Sequence, residues 1–109
     1  MIWIPLESED QIQLIKDSSN NKPQIIFKHS TRCSISSVAL NRLQNHSSAT
    51  LADFYLLDLL KHRNISSQIS DDFDVQHESP QVLVIKNAQC IYAESHYGIT
   101  LQDLLESLN

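Results

Sequence analysis

The sequence predicts an α/β domain: a central four-stranded mixed sheet flanked by helices. Three observations carry the prediction. Apolar runs at residues 24–28, 52–60 and 81–86 alternate with stretches of helical periodicity. The last run is followed by a short turn and a further strand-like segment, so the chain closes its sheet with a hairpin. A cysteine, Cys33, follows the first long run, and a proline, Pro80, opens the third.

The elements follow in order. Ser8-Glu9-Asp10-Gln11 has the spacing of a capping box, and Ile12 and Ile15, with Leu14 beside them, give a short first helix its apolar face. The polar stretch Asp17-Ser18-Ser19-Asn20-Asn21-Lys22-Pro23 reads as a loop. Residues 24–28 are apolar in consecutive positions, the pattern of a strand buried on both faces. From Ser34 the spacing of Ile35, Val38, Ala39 and Leu43 is helical. Residues 45–50 read as a loop and residues 52–60 as a second central strand. Ile65, Ile69 and Phe73 stand four apart on a helix that ends near Asp74. After His77-Glu78-Ser79-Pro80 comes the third strand, a tight turn at Asn87-Ala88-Gln89, and a hairpin return over 90–94. Thr100 and Asp103 sit at the N-cap and N3 positions of a last helix striped by Leu101, Leu104, Leu105 and Leu108.

The order α-β-α-β-α-β-β-α is the thioredoxin topology, which brings Cys33 and Pro80 to one site. Its β-α-β half is parallel with a right-handed crossover, and its final hairpin is antiparallel. With 109 residues the chain suits one domain, 1–109. A domain of this size buries roughly 65% of its unfolded surface.

Composition narrows the function classes. The formal net charge of −5 argues against nonspecific nucleic-acid binding, because phosphate neutralisation needs an excess of Lys and Arg. No apolar stretch approaches the roughly 20 residues of a membrane span, and the acidic residues Glu7, Glu9 and Asp10 after a short apolar start do not fit a signal peptide. A cytoplasmic protein with reduced thiols is expected. The one glycine, Gly98, excludes Gly-rich phosphate loops. The five histidines show no metal-ligand spacing, so no metal and no bound cofactor are expected.

Cys33 is the candidate nucleophile. A sulfur at a strand-to-helix junction meets free backbone N–H groups and the positive end of the helix dipole, which favour thiolate over thiol. The bland reading, a buried inert cysteine, is opposed by the polar neighbours Ser30, Thr31 and Arg32. Three residues on stands Ser36, whose hydroxyl either supports the sulfur or bonds its own backbone. It cannot attack a mixed disulfide, so a resolving thiol must come from elsewhere. Arg32, Lys28 and a protonated His29 add positive charge for an anionic thiol, although ordinary solvated charge is the better reading of Lys28. Cys90 falls in the outer hairpin strand. It reads as a packed or surface cysteine without a role, since resolving Cys33 would require Cα atoms within about 7 Å.

Three motifs carry a resemblance: Phe27-Lys28-His29-Ser30-Thr31-Arg32-Cys33-Ser34-Ile35-Ser36, His77-Glu78-Ser79-Pro80-Gln81 and Ser95-His96-Tyr97-Gly98-Ile99-Thr100. Together they resemble the monothiol bacilliredoxins, the YtxJ-like general stress proteins. The departures are Arg32 where the family often has Thr, Ser34 where it has Pro, and Tyr97 where Trp is more frequent. The resemblance implies a thioredoxin fold with a cis Pro80, and reduction of protein mixed disulfides formed with bacillithiol or a similar small thiol, which acts as co-substrate. It places Thr31, Arg32, Ser34, Ser79 and Pro80 at the substrate, with Ser79 offering its backbone to an extended client. Thiolated client proteins and a small thiol or reductase are the expected partners of a monomer or weak dimer. A cluster shared between subunits, as in monothiol glutaredoxins, lacks its Cys-Gly-Phe-Ser motif here. The rival reading is a redox-inactive adaptor that uses the same face to hold a protein partner.

Overall fold

A computed structural model describes residues 3–44 and 51–108. The elements are β1 (Ile4–Pro5), α1 (Asp10–Ser18), β2 (Gln24–His29), α2 (Ser34–Gln44), β3 (Asp53–Asp58), α3 (Arg63–Phe73), β4 (Gln81–Lys86), β5 (Gln89–Ser95), a 3-10 turn (His96–Gly98) and α4 (Leu101–Ser107). The loop expected at residues 45–50 lies outside the described residues.

The sheet has five strands, in the order β1-β3-β2-β4-β5, where the sequence predicted four. The added strand is β1, which pairs parallel with β3 through Ile4 and Pro5. Two residues are too few to show a period, and a proline argues against a strand anywhere but an edge. β1 occupies such an edge. β2 and β3 run parallel, while β4 is antiparallel to both β2 and β5.

β2 is buried from Gln24 to Lys28, as expected of a strand covered on both faces. Its alternating side chains feed two cores. Ile26 joins Leu83, Ile85, Leu57 and the helical residues Ile12, Ile15, Ile65, Ile69 and Phe73 on the α1/α3 face. Ile25 and Phe27 join Val82, Val84, Phe54, Ala39, Leu43 and Leu104 on the α2/α4 face. Each such Ile, Leu, Val or Phe contributes roughly 1.5–3 kcal/mol on full burial.

Two helical stripes fall as the sequence reads them. Ile65, Ile69 and Phe73 are all buried, and Asp74 ends α3 in the left-handed conformation at φ 53°. In α4 the Asp103 N–H donates to Thr100 Oγ1, the expected N-cap. α2 differs: its buried residues are Ser36, Ala39 and Leu43, while Val38 is 49% exposed. The capping box of α1 is half made. Gln11 Oε1 accepts from the Ser8 N–H at 3.0 Å and the Glu7 N–H at 2.7 Å, while Glu9, the residue at the N-cap, makes no side-chain capping bond.

The β4–β5 turn rests on buried Ser19. Its hydroxyl accepts from the Ala88 N–H at 2.8 Å, and its carbonyl accepts from the Asn87 N–H at 3.0 Å. A register shift at Val84/Ile85 follows in the hairpin. Among the described residues, no helix is long and apolar enough to cross a membrane.

Candidate functional site

One end of the sheet gathers the site. β2 and β3 both finish there, with His29 opposite Asp58. β4 starts there, with Gln81 opposite both Lys28 and Ser95. The segments leaving and entering this end therefore lie side by side: Ser30–Cys33, Leu59–His62, Ser79–Pro80 and the turn at His96–Gly98.

Cys33 is the N-cap of α2. Its carbonyl accepts from the Ser37 N–H at 3.2 Å, the first bond of the helix, and its own N–H donates to the Ser30 carbonyl at 3.1 Å. The thiol is free and its residue half-buried, between exposed Arg32 and exposed Ser34. Thr31 is exposed as well. The sulfur thus sits at the start of an eleven-residue helix whose first-turn N–H groups have no carbonyl partner within it.

Ser36 is fully buried, and its hydroxyl faces the end of β2. Oγ accepts from the Ser30 N–H at 3.0 Å and lies 2.6 Å from His29 Nδ1. Among the described residues the Cys33 sulfur is not one of its partners, so both roles weighed for Ser36 give way to a third. It ties the strand end to the helix that carries the cysteine. His29 pairs at Nδ1 with this hydroxyl, and burial holds its imidazole below the usual range despite Asp58 nearby. A neutral ring at neutral pH supplies no charge for an anionic thiol, contrary to the role considered for a protonated His29.

Lys28 departs further from expectation. It is fully buried where a solvated charge was expected. The alternation of β2 explains this, because Lys28 shares the face of Ile26 and points under α3. Its Nζ donates to the Ser66 carbonyl at 3.4 Å, Ser70 Oγ at 3.2 Å and His77 Nδ1 at 3.3 Å. Desolvation brings its pKa down to about 8. The bond to Nδ1 leaves the neutral His77 ring its proton on Nε2. Burial, then the Lys28 charge, hold that ring below the usual histidine range. An open cavity of about 250 Å³, lined by Leu59, Arg63, Ser66, Ser67 and His77, adjoins this group.

On the other side of the site the Ser79–Pro80 peptide bond is cis. Pro80 is buried, and its carbonyl accepts from the His96 N–H at 3.0 Å, which fastens the 3-10 turn to the start of β4. Ser79 Oγ is buried without a hydrogen-bond partner among the described residues. Tyr97 is 72% exposed on the same turn. Gly98 follows it, where an added Cβ would fall 2.6 Å from Glu94 Cδ.

Cys90 lies at the opposite end of the sheet. It pairs with Ile85, which pairs with Gln24, the first residue of β2. Five residues of strand, roughly 16 Å, separate Gln24 from the end where Cys33 emerges, far beyond disulfide reach. Cys90 Sγ bonds the Tyr92 carbonyl, and burial raises its pKa.

The sequence reading passed over Asp58, Lys61, Arg63 and the Lys28–His77 pair. Only Lys28 carried a signal, its place in a strand read as buried on both faces. Asp58, Lys61 and Arg63 come to the site through the parallel register of β2 and β3, and His77 through the segment between α3 and β4.

A five-stranded mixed sheet, a half-buried thiol at a helix N-terminus and a cis-proline at the same sheet end define a protein of the thioredoxin fold. Solved structures of similar shape agree. One, described as having a thioredoxin fold and proposed as an oxidoreductase, is 29% identical with a TM-score of 0.86, covering 99% of this chain and 95% of that one. A thioredoxin from Schistosoma mansoni is 15% identical with a TM-score of 0.78, covering all of both chains. The Malassezia sympodialis thioredoxin is 18% identical with a TM-score of 0.74, covering 98% of this chain and 88% of that one. The family described as monothiol bacilliredoxin BrxC matches residues 4–104. The chain belongs to that family.

Proposed function

We propose that this protein is a monothiol thiol–disulfide oxidoreductase that reduces protein mixed disulfides carrying a small thiol, bacillithiol or one like it, through Cys33. The observation that carries this reading is the half-exposed, unpaired Cys33 at the N-cap of α2, on the sheet end that also bears Pro80. The first-turn N–H groups of α2, which have no carbonyl partner within the helix, lie at that same end.

The Cys33 thiolate attacks the small-thiol sulfur of the client's mixed disulfide. The client sulfur leaves as a thiolate and takes up a proton. A disulfide between Cys33 and the small thiol remains. A second small thiol then attacks that disulfide, supplies the two electrons as it is oxidised, and releases Cys33. Rates follow the thiolate fraction, the nucleophilicity of Cys33 and the leaving-group quality of the client sulfur.

Ser79 supports client docking. Neither its backbone N–H nor its carbonyl is engaged by another backbone group among the described residues, so both are open to an extended client segment. Ser36 serves as a positioning residue, through His29 and Ser30. The reading places the protein in a reducing compartment, the cytoplasm.

The test is release of the small thiol from a thiolated client. Wild type and Cys90→Ser should turn over alike, and Cys33→Ser should fall to the uncatalysed background. Equal release by wild type and Cys33→Ser overturns the proposal.

A further inference from the structure

The chain is acidic, with only eight Lys and Arg against thirteen Asp and Glu, yet three of its cations lie together, while Lys86 stands apart at the far end of β4. Lys16 pairs with Asp72 and Lys22 with Asp53, Arg42 bonds the Ile99 carbonyl, and Lys28 is buried. Three others, Arg32, Lys61 and Arg63, line one open depression of about 370 Å³ with Thr31, Asp58 and Leu60. All three are exposed, and none is in an ion pair among the described residues.

Asp58 is the one carboxylate there. Its Oδ1 already accepts from the Leu60 N–H at 3.2 Å and the Lys61 N–H at 3.4 Å, so it shapes the loop that presents the cations. Three cations face one carboxylate. Thr31 and Arg32, which line the depression, directly precede Cys33 in the chain. The start of α3 adds to the field: His62, its N-cap, makes no side-chain capping bond, and Arg63 is its first residue.

We infer that this depression selects the small thiol by charge. Arg32, Lys61 and Arg63 hold the carboxylates of a polyanionic thiol while its sulfur is joined to Cys33. The inference rests on the thiol-exchange reading above and names the substrate class of that same site. Lys61 and Arg63 act as specificity-determining residues. They pair with the anionic arm of the disulfide as the Cys33 thiolate attacks its sulfur; one S–S bond breaks, another forms, and the departing thiolate takes up a proton. The electrons come from the attacking thiol alone.

Exchange rates can be measured with three symmetrical disulfides: glutathione disulfide, which is anionic, bis(2-hydroxyethyl) disulfide, which is neutral, and cystamine, which is cationic. Wild type should favour the anionic one. In Lys61→Gln/Arg63→Gln the ratio of the anionic to the neutral rate should fall about five- to tenfold, the size expected from losing two exposed charge contacts. In wild type that ratio should also fall as salt rises, because the Debye length shortens from about 30 Å at 0.01 M to about 8 Å at 0.15 M. A ratio unmoved by the double variant overturns the inference, and so does one unmoved by salt. A client peptide carrying neutral or acidic flanks, each with the same small thiol, supplies a further arm. If the double variant responds only to the flanks, the depression takes client side chains and the inference fails. Wild-type exchange of all three disulfides at one rate sinks charge selection alone, whereas no exchange with any of them sinks the thiol-exchange reading itself.

Discussion

Lys28 shows how a single side chain can contradict its own chemistry and still be explained. A lysine prefers water, but the pleat of β2 turns this one beneath α3, where its partners are a carbonyl, a hydroxyl and a neutral imidazole. Its pKa of about 8 against an ordinary 10.5 sets the sign of the pH effect. Between those two values the unfolded chain holds a proton that the folded chain has given up. Raising the pH through that window therefore favours the folded state. Lys28→Met removes the desolvated ammonium. At pH 7 the variant should be more stable than wild type by roughly 1–3 kcal/mol, and the gap should narrow steadily toward pH 10. Urea unfolding of both proteins at several pH values checks this; a gap independent of pH would show that the buried charge is not its source. Ser36 teaches the same lesson in milder form. A serine at a helical core position is tolerated because Ser30 and His29 satisfy its hydroxyl.

At the scale of elements, the hairpin of β4 and β5 offers the clearest test. Its turn holds Asn87 at φ 52° and Ala88 at φ 63°, both in the left-handed region that a two-residue hairpin turn requires. Asparagine tolerates that region and alanine does not. The bond to the Ser19 hydroxyl is donated by the Ala88 backbone N–H, so it survives substitution. Ala88→Gly should raise stability by about 0.5–1 kcal/mol, read as a higher denaturation midpoint with an unchanged slope. A lower midpoint would mean that the added freedom of glycine in the unfolded chain outweighs the relieved strain. α2 marks where periodicity misled. Ile35, Val38, Ala39 and Leu43 are spaced as one stripe, but the helix is rotated so that Ser36 replaces Val38 in the core. The tether from Ser36 to the end of β2 sets that rotation, and a hydropathy pattern cannot register it.

Across the whole molecule, order should fall from the centre of the sheet outward. β2 and β4 are buried almost throughout and each has a strand on both sides. β1 is two exposed residues at an edge. In hydrogen exchange the amides of Ile25–Phe27 and Val82–Val84 should therefore be slowest and report global unfolding, while the Leu6 amide bonded to the Leu56 carbonyl should exchange faster through local opening. Protection of Leu6 equal to that of Phe27 would contradict this picture and make β1 part of the cooperative core.

Much of this architecture is legible in the sequence. Strands β2 and β4 and helices α3 and α4 were readable because burial repeats at the period of the backbone, and the short polar signals at Thr100 and Asn87 mark where each repeat stops. Cys33 and Pro80 were readable because their positions, just after one strand and just before another, are themselves sequence facts. Local pattern therefore specifies which segments are buried, in what order they come, and where the thiol stands. Which side chains meet is a matter of how the elements pack. The gathering of Arg32, Lys61 and Arg63 around one depression, and the contacts of Lys28 with His77 and of His29 with Ser36, depend on strand register and helix rotation. Those are settled by the packing of the whole chain, because a local pattern specifies which face of an element is apolar but not what lies across from it.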